Sequence, residues 1–261
     1  VSPPGTLRVL PLGGLGEIGK NMMVVEYDDR LVVIDTGLMF PTPEQLGIDL
    51  VLPDFAYLRE RADDIDAIVL THGHEDHVGA LPYVLRQLDS TPTVYGGPLT
   101  AAMVRSKLDE HRLKDAPVED LLAGQTFDAG PFSIEMVKMA HSIPDCVAIV
   151  IETPAGRVLH TGDWKLDHTP VDGLKTDVGK LASMGNRGID LMLGDSTNAE
   201  RPGMTGSERL VGEAFRQLTL RWWTEAPQDA RDRVEALVHV LEAIHHLVGR
   251  HAGRLDDRRP V

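Results

Sequence analysis

The sequence predicts an α/β protein, and three features carry that expectation. Strand-like runs fill the first third. A buried strand near residue 70 then hands over to a stripe of helical period, and a second group of strand-like runs follows between residues 132 and 161.

In chain order, Leu7–Leu12 alternates as a first strand and runs into Gly13-Gly14-Leu15-Gly16-Glu17-Ile18-Gly19. Met22–Tyr27 and Leu31–Asp35, joined by the turn at Asp28-Asp29-Arg30, read as a hairpin. Gly14-x-Gly16-x-x-Gly19 matches a dinucleotide-binding pattern, and Asp35 lies near the spacing of a ribose-binding acid. That motif works through a helix directly after the glycines, and the β-rich residues that follow leave little room for one. A glycine-permitted turn between two strands is the better reading. Leu38–Pro53 is polar and proline-bearing, hence a long loop, and Ala67–Leu70 is a short apolar run expected as a buried strand.

That strand delivers His72-Gly73-His74-Glu75-Asp76-His77. With 11 histidines and 40 acidic residues in 261, a His-x-His-x-acid-His match is expected by chance about 0.003 times. Neutral imidazoles and a carboxylate are ligands for zinc, manganese or iron, and a loop can turn closely spaced side chains toward one point. Four donors exceed the three that one catalytic zinc takes from protein, so two ions are expected, with His72 and His74 on one and Asp76 and His77 on the other. Val78, Leu81, Val84, Leu85 and Leu88 then repeat with helical period, which places the donors on a strand-to-helix loop, with Pro82 in the first turn of the helix. Phe132–Met139 alternates as a strand and leads to His141. Cys146–Thr153 and Arg157–Thr161 form a hairpin that leads to Asp163, and Ile189–Gly194 is a strand that ends at Asp195. Taken alone, each of these three residues is an ordinary polar group at a strand end, and Asp195 reads equally well as the opening of a capped turn with Ser196, Thr197 and Asn198.

Together, Asp35, the His72–His77 cluster, His141 and Thr161-Gly162-Asp163 resemble, in order, the motifs of the metallo-β-lactamase superfamily. The surrounding wording is similar to the ribonuclease J family of its β-CASP branch. It comprises Gly13–Asn21, Leu70–His77, His141-Ser142-Ile143-Pro144-Asp145, His160–Lys165 and Gly194–Glu200, and the likeness runs over about residues 7–218. The resemblance implies an αββα sandwich, incomplete here because the segment that closes the second sheet comes late in such proteins. It implies a metallo-β-lactamase-like domain over 1–206 and the start of a β-CASP domain over 207–218, followed by a divergent tail over 219–261. It implies two divalent ions, zinc first and manganese as the alternative, with His72, His74 and His141 on one, Asp76 and His77 on the second, and Asp163 between them. Asp35 would orient ligands through hydrogen bonds, and catalysis would rest on Asp76 and Asp195. The activity implied is metal-dependent hydrolysis of RNA phosphodiesters, both from a 5′ end and internally, in a homo-oligomer that binds RNA. A thioester or lactam hydrolase of the same superfamily, or an inactive metal-binding fragment, are the competing readings.

The tail departs from the pattern. Residues 219–261 hold seven arginines and no lysine, and no histidine occurs between His168 and His239, so a further histidine for the second ion is not supplied. A helix is expected over 231–249, with His239, His245, His246 and His251 on its surface and end rather than at a metal, and the tail is expected to be a truncation or frameshift scar. Composition sets the outer limits. At 42% hydrophobic and 25% charged the chain is an ordinary globular protein, long enough for a domain and a half. No apolar run approaches the roughly 20 residues of a membrane span, and Val1–Gly5 lacks the features of a signal peptide. With one cysteine, Cys146, an internal disulfide is excluded, and a cytoplasmic protein is expected. The net charge of −14 argues against a nonspecific coat on nucleic acid, although bound cations would supply positive charge to a phosphate.

Overall fold

The computed structural model describes residues 5–225 and 227–228, which fall into two units divided between Glu208 and Arg209. The first unit is built on two mixed sheets. One has the order β1-β2-β3-β4-β5-β6, formed by Arg8–Gly13, Met22–Tyr27, Arg30–Ile34, Ile65–Val69, Thr93–Gly96 and Val118–Asp120. The first three strands pair antiparallel and the rest parallel. The other has the order β11-β10-β9-β8-β7, formed by Leu191–Leu193, Gly156–His160, Val147–Thr153, Phe132–Lys138 and Thr126–Ala129. It is antiparallel except for the β10–β11 pair.

Side-chain parity explains why both sheets are covered on both faces, since successive residues of a strand point to opposite sides. In β2 and β3, Met23, Val25, Val32 and Ile34 face the second sheet, where Phe132, Ile134, Met136, Val147, Ile149 and Ile151 meet them. Their neighbours Met22, Val24, Leu31 and Val33 turn the other way, onto Leu58, Leu81, Val84, Val104 and Leu108. These come from α1 (Ala56–Glu60), α3 (Leu81–Leu85) and α4 (Pro98–Glu110). On the far side of the second sheet, Val137, Ala148, Val150 and Leu159 pack against Met184 of α5 (Val178–Arg187). Helix, sheet, sheet and helix therefore form four layers, the order that the resemblance implies. Glu26 is the charged exception in the buried part of β2, and it accepts hydrogen bonds from Arg8 (3.1 Å) and the Tyr57 hydroxyl (2.6 Å). Leu191 and Met192 lie exposed in β11, at the edge of the second sheet.

The single helix expected over 78–88 is two short ones, α2 (Glu75–Val78) and α3, broken at Gly79-Ala80. Two causes act together. The amide N–H of Ala80 donates to the Thr36 carbonyl (2.8 Å), and Pro82 has no N–H with which to continue the ladder onto Val78. The glycine segment follows the end of β1 at Gly13 with bends over 15–19 and no helix, as its β-rich surroundings required.

The second unit contributes α6 (Arg209–Glu225), braced along its own surface by Glu213 with Arg216 and Gln217. The helix expected over 231–249 and its histidines lie outside the described residues. Among the described residues no helix is long and apolar enough to cross a membrane.

Candidate metal centre

The donors converge where strands of both sheets end. β3 ends at Asp35, and β4 delivers Thr71, His72 and His74 on a loop, while Asp76 and His77 sit in the first turn of α2. The spacing predicts all four cluster donors on the loop; the helix begins at Glu75, earlier than expected, and takes two of them. β8 leads to His141 and β10 to Asp163.

Among the described residues, two sets of three donors are compatible with a divalent metal: His72, His74 and His141, and His72, His77 and Asp163, with the ligand atoms of each set within 4.8 Å of one another. His72 Nε2 lies 2.9 Å from His74 Nδ1, a spacing at which two lone pairs repel unless a proton or a cation lies between them. Nε2 of His141 is buried and has no hydrogen-bond partner, the Asp163 Oδ2 atom being 3.6 Å away. Buried polar atoms are rarely left so without a ligand. The other oxygen of Asp163, Oδ1, lies 3.3 Å from His77 Nε2. The carboxylate thus faces both sets of imidazoles, one oxygen to each. Asp76 Oδ2 is 3.6 Å from the same His77 nitrogen. The residues of the two sets fit a bound cation in chemistry and in direction; Asp76 belongs to neither set and stands beside the second.

Electrostatics point the same way. Burial pushes the imidazoles of His72, His74 and His141 below their ordinary pKa, so they stand neutral, as ligands must. Burial also opposes charge on His77, but Asp35 and Asp163 overcome it and raise its pKa to about 10, so this corner strongly favours positive charge. Burial works to raise the Asp163 carboxyl, yet the hydrogen bond and charge of His77 hold it below the usual carboxylate range.

Asp35 touches none of the open ligand atoms. Its carboxylate accepts from the Thr71 amide (2.8 Å), the Thr71 hydroxyl (2.9 Å) and His77 Nδ1 (2.8 Å), which leaves His77 Nε2 facing the centre. Its φ of 60 lies in the left-handed region, where a non-glycine residue costs about 1 kcal/mol or more. Thr71 is a participant that no spacing rule picked out: its hydroxyl also lies 3.0 Å from His72 Nδ1, linking two imidazoles through one atom. Lys107 of α4 likewise escaped notice, and it holds both oxygens of Glu75 (2.7 and 2.8 Å) beside the cluster. Asp145 reaches from the His141 loop to accept from the Leu99 amide (2.9 Å) at the start of α4. Cys146 is buried, and its thiol donates to the Asp163 carbonyl (3.2 Å).

Asp195 stands apart from the donor sets. Its carboxylate accepts from the amide (2.8 Å) and hydroxyl (2.6 Å) of Thr197, the capped turn that local sequence allows. It nevertheless lines a cavity of about 550 Å³ together with Asp76, His77 and Asp163. Both readings of this residue are compatible with its position.

The metallo-beta-lactamase superfamily model matches residues 15–185, which include every donor named above. The chain belongs to that superfamily. Among its members, Ribonuclease J of Corynebacterium glutamicum is 43% identical over 245 residues, 91% of this chain and 34% of the relative. Ribonuclease J of Mycolicibacterium smegmatis is 47% identical over 215 residues (82% and 38%), and that of Helicobacter pylori strain 26695 is 45% identical over 212 (80% and 30%). The chain spans about a third of the length of these curated relatives. The Corynebacterium match takes in a larger share of the chain than the stretch 7–218 over which the motifs resemble the family. A crystal structure of a protein of unknown function from Enterococcus faecalis V583 superposes with a TM-score of 0.61 at 19% identity, covering 82% of this chain and 57% of that one. It supports the superfamily fold and nothing about activity.

Proposed function

We propose that this superfamily member is the metal-binding part of a ribonuclease that hydrolyses RNA phosphodiesters, from a 5′ end and internally, and acts in the cytoplasm. The observation that carries this reading is the 43–47% identity to Ribonuclease J relatives along a stretch holding the whole donor set. In this reading His72, His74 and His141 hold one ion, Asp76 and His77 hold the second, and Asp163 lies between them. Zinc is the first candidate and manganese the second, since imidazole and carboxylate accept both. When bound, such a pair of ions lowers the pKa of a shared water and offsets the negative charge of a phosphate.

The chain's own groups do the positioning. Asp35 and Thr71 set the ring orientation of His72 and His77, as hydrogen-bond partners of metal-bound imidazoles commonly do. Lys107 keeps the Glu75 carboxylate engaged beside the donors. Asp195, on the wall of the adjoining cavity, is the residue we assign to proton handling at the leaving group.

The test is degradation of a 5′-phosphorylated RNA by this chain in the presence of Zn²⁺ or Mn²⁺, with His74→Ala as control. Metal-dependent loss of RNA that the substitution abolishes is expected. RNA left intact by the wild-type chain, or degraded equally by the variant, overturns the reading.

A further inference from the structure

The glycine segment that resembles a nucleotide-binding motif has another purpose. A Cβ at Gly13 would fall 2.0 Å from the Lys20 carbonyl oxygen, and one at Gly14 would fall 2.4 Å from Asn21 Oδ1. Across the strand ends, a Cβ at Gly37 would fall 1.6 Å from the Asp76 carbonyl oxygen and 2.7 Å from the Asn21 nitrogen. Gly14 also takes a φ of 81, in the region that side chains avoid. Gly14 clears space for the Asn21 side chain, Gly37 lets the Asn21 backbone and the Asp76 carbonyl approach, and Gly13 makes room for the neighbouring Lys20 carbonyl.

Asn21 is fixed by its backbone before its side chain is considered. Its N–H donates to the Asp76 carbonyl (3.1 Å), and its own carbonyl accepts from Gly37 (2.8 Å). The loop before it is braced independently: the Gly14 amide donates to Glu17 (3.3 Å), and Glu17 pairs with Lys20 (3.0 Å). From this seat the Asn21 amide nitrogen donates to the Asp76 carbonyl (3.0 Å). It lies 3.5 Å from Asp76 Oδ2 and 3.1 Å from His77 Nε2. Asp76 and His77 are the two donors assigned to the second ion alone. His74 and His141 are not among the hydrogen-bond partners of Asn21.

We propose that Asn21 is a positioning residue for the second ion, and that Gly14 and Gly37 are glycine because they seat it. The amide holds the Asp76 backbone and side chain together. It brings donors without charge, so it orients the carboxylate without neutralising it. This role rests on the two-ion reading above.

The experiment is calorimetric titration of the whole chain with Zn²⁺ and with Mn²⁺, together with metal content after dialysis and thermal unfolding in chelator. The wild type is expected to take two ions. Asn21→Ala should keep the first and weaken the second by about 10- to 100-fold. Its melting temperature in chelator should stay at the wild-type value, because both backbone hydrogen bonds survive. Gly14→Ala, which crowds the Asn21 amide, should show the same selective loss. Gly16→Asn should bind as the wild type does, since a Cβ there meets nothing within 4 Å and asparagine tolerates the left-handed φ of 73. Two ions bound with unchanged affinity in Asn21→Ala would overturn the role of Asn21 alone. Equal weakening of both ions with a lowered melting temperature would also overturn it, in favour of a loop that merely supports the fold. A wild type that takes a single ion would overturn the two-ion reading and this role with it.

Discussion

At the scale of single residues, Asp35 binds the centre together without presenting a ligand atom of its own. It is buried, left-handed in φ, and accepts from Thr71 twice and from His77 once. Replacing it by asparagine keeps the shape but sets an N–H₂ against these donors. Asp35→Asn should lower stability by about 3 kcal/mol, the cost of leaving buried donors without an acceptor, and weaken metal binding by about 10-fold or more. Urea unfolding in chelator, followed by metal titration, separates the two effects, and an unchanged unfolding midpoint would refute the structural part. The residues that the sequence made legible are those whose chemistry is improbable in so short a stretch: three histidines and two acids within 72–77, then His141 and Asp163 matched by motif. Thr71, Asn21 and Lys107 could not be read that way. Their importance comes from partners 36, 55 and 32 residues distant, Asp35, Asp76 and Glu75, which only the folded chain supplies.

At the scale of elements, the strands of the sandwich were readable because alternation along β2, β3, β8 and β9 sorts their apolar residues onto two faces, each of which is buried. The elements that gave no signal are those with little apolar contrast. α4 buries Thr100, Ala101, Val104 and Leu108, of which two are small or polar, and β5 and β7 are four residues each. α4 is also where the His141 loop is anchored, through Asp145 and the Leu99 amide at its first turn. A carboxylate there satisfies an amide that has no partner within the helix. Gly97 makes the approach possible, since a Cβ on it would fall 2.1 Å from Asp145 Oδ2. Asp145→Ala should therefore lower stability by about 1 kcal/mol, as loss of a cap does, and should loosen the ion held by His141. Thermal unfolding and metal titration check both parts. Full affinity in the variant would show that the loop holds its shape without the anchor.

At the scale of the whole first unit, the donors come from both halves of the sandwich. His72, His74, Asp76 and His77 follow a strand of the first sheet, and His141 and Asp163 follow strands of the second. A ligand shared between two packed layers stabilises their packing by mass action. At concentrations about 100-fold above its dissociation constant, metal should raise the melting temperature by about 5 to 10 °C. His74→Ala and His141→Ala should each diminish that rise, although they lie on opposite sheets, and scanning calorimetry with and without EDTA measures it. No difference between the two conditions would mean that the centre adds nothing to the cohesion of the sheets. Topology also sets a timetable for synthesis. All six strands of the first sheet lie within residues 8–120, and all five of the second within 126–193. On a ribosome adding roughly 5 to 20 residues per second, the stretch from His77 to Asp163 takes roughly ten seconds to emerge. Through that interval the nascent chain carries His72, His74, Asp76 and His77 and a first sheet with Val25, Val32, Ile34 and Val69 bare on the side that the second sheet will cover. Such a chain is the form most exposed to aggregation and most in need of a chaperone.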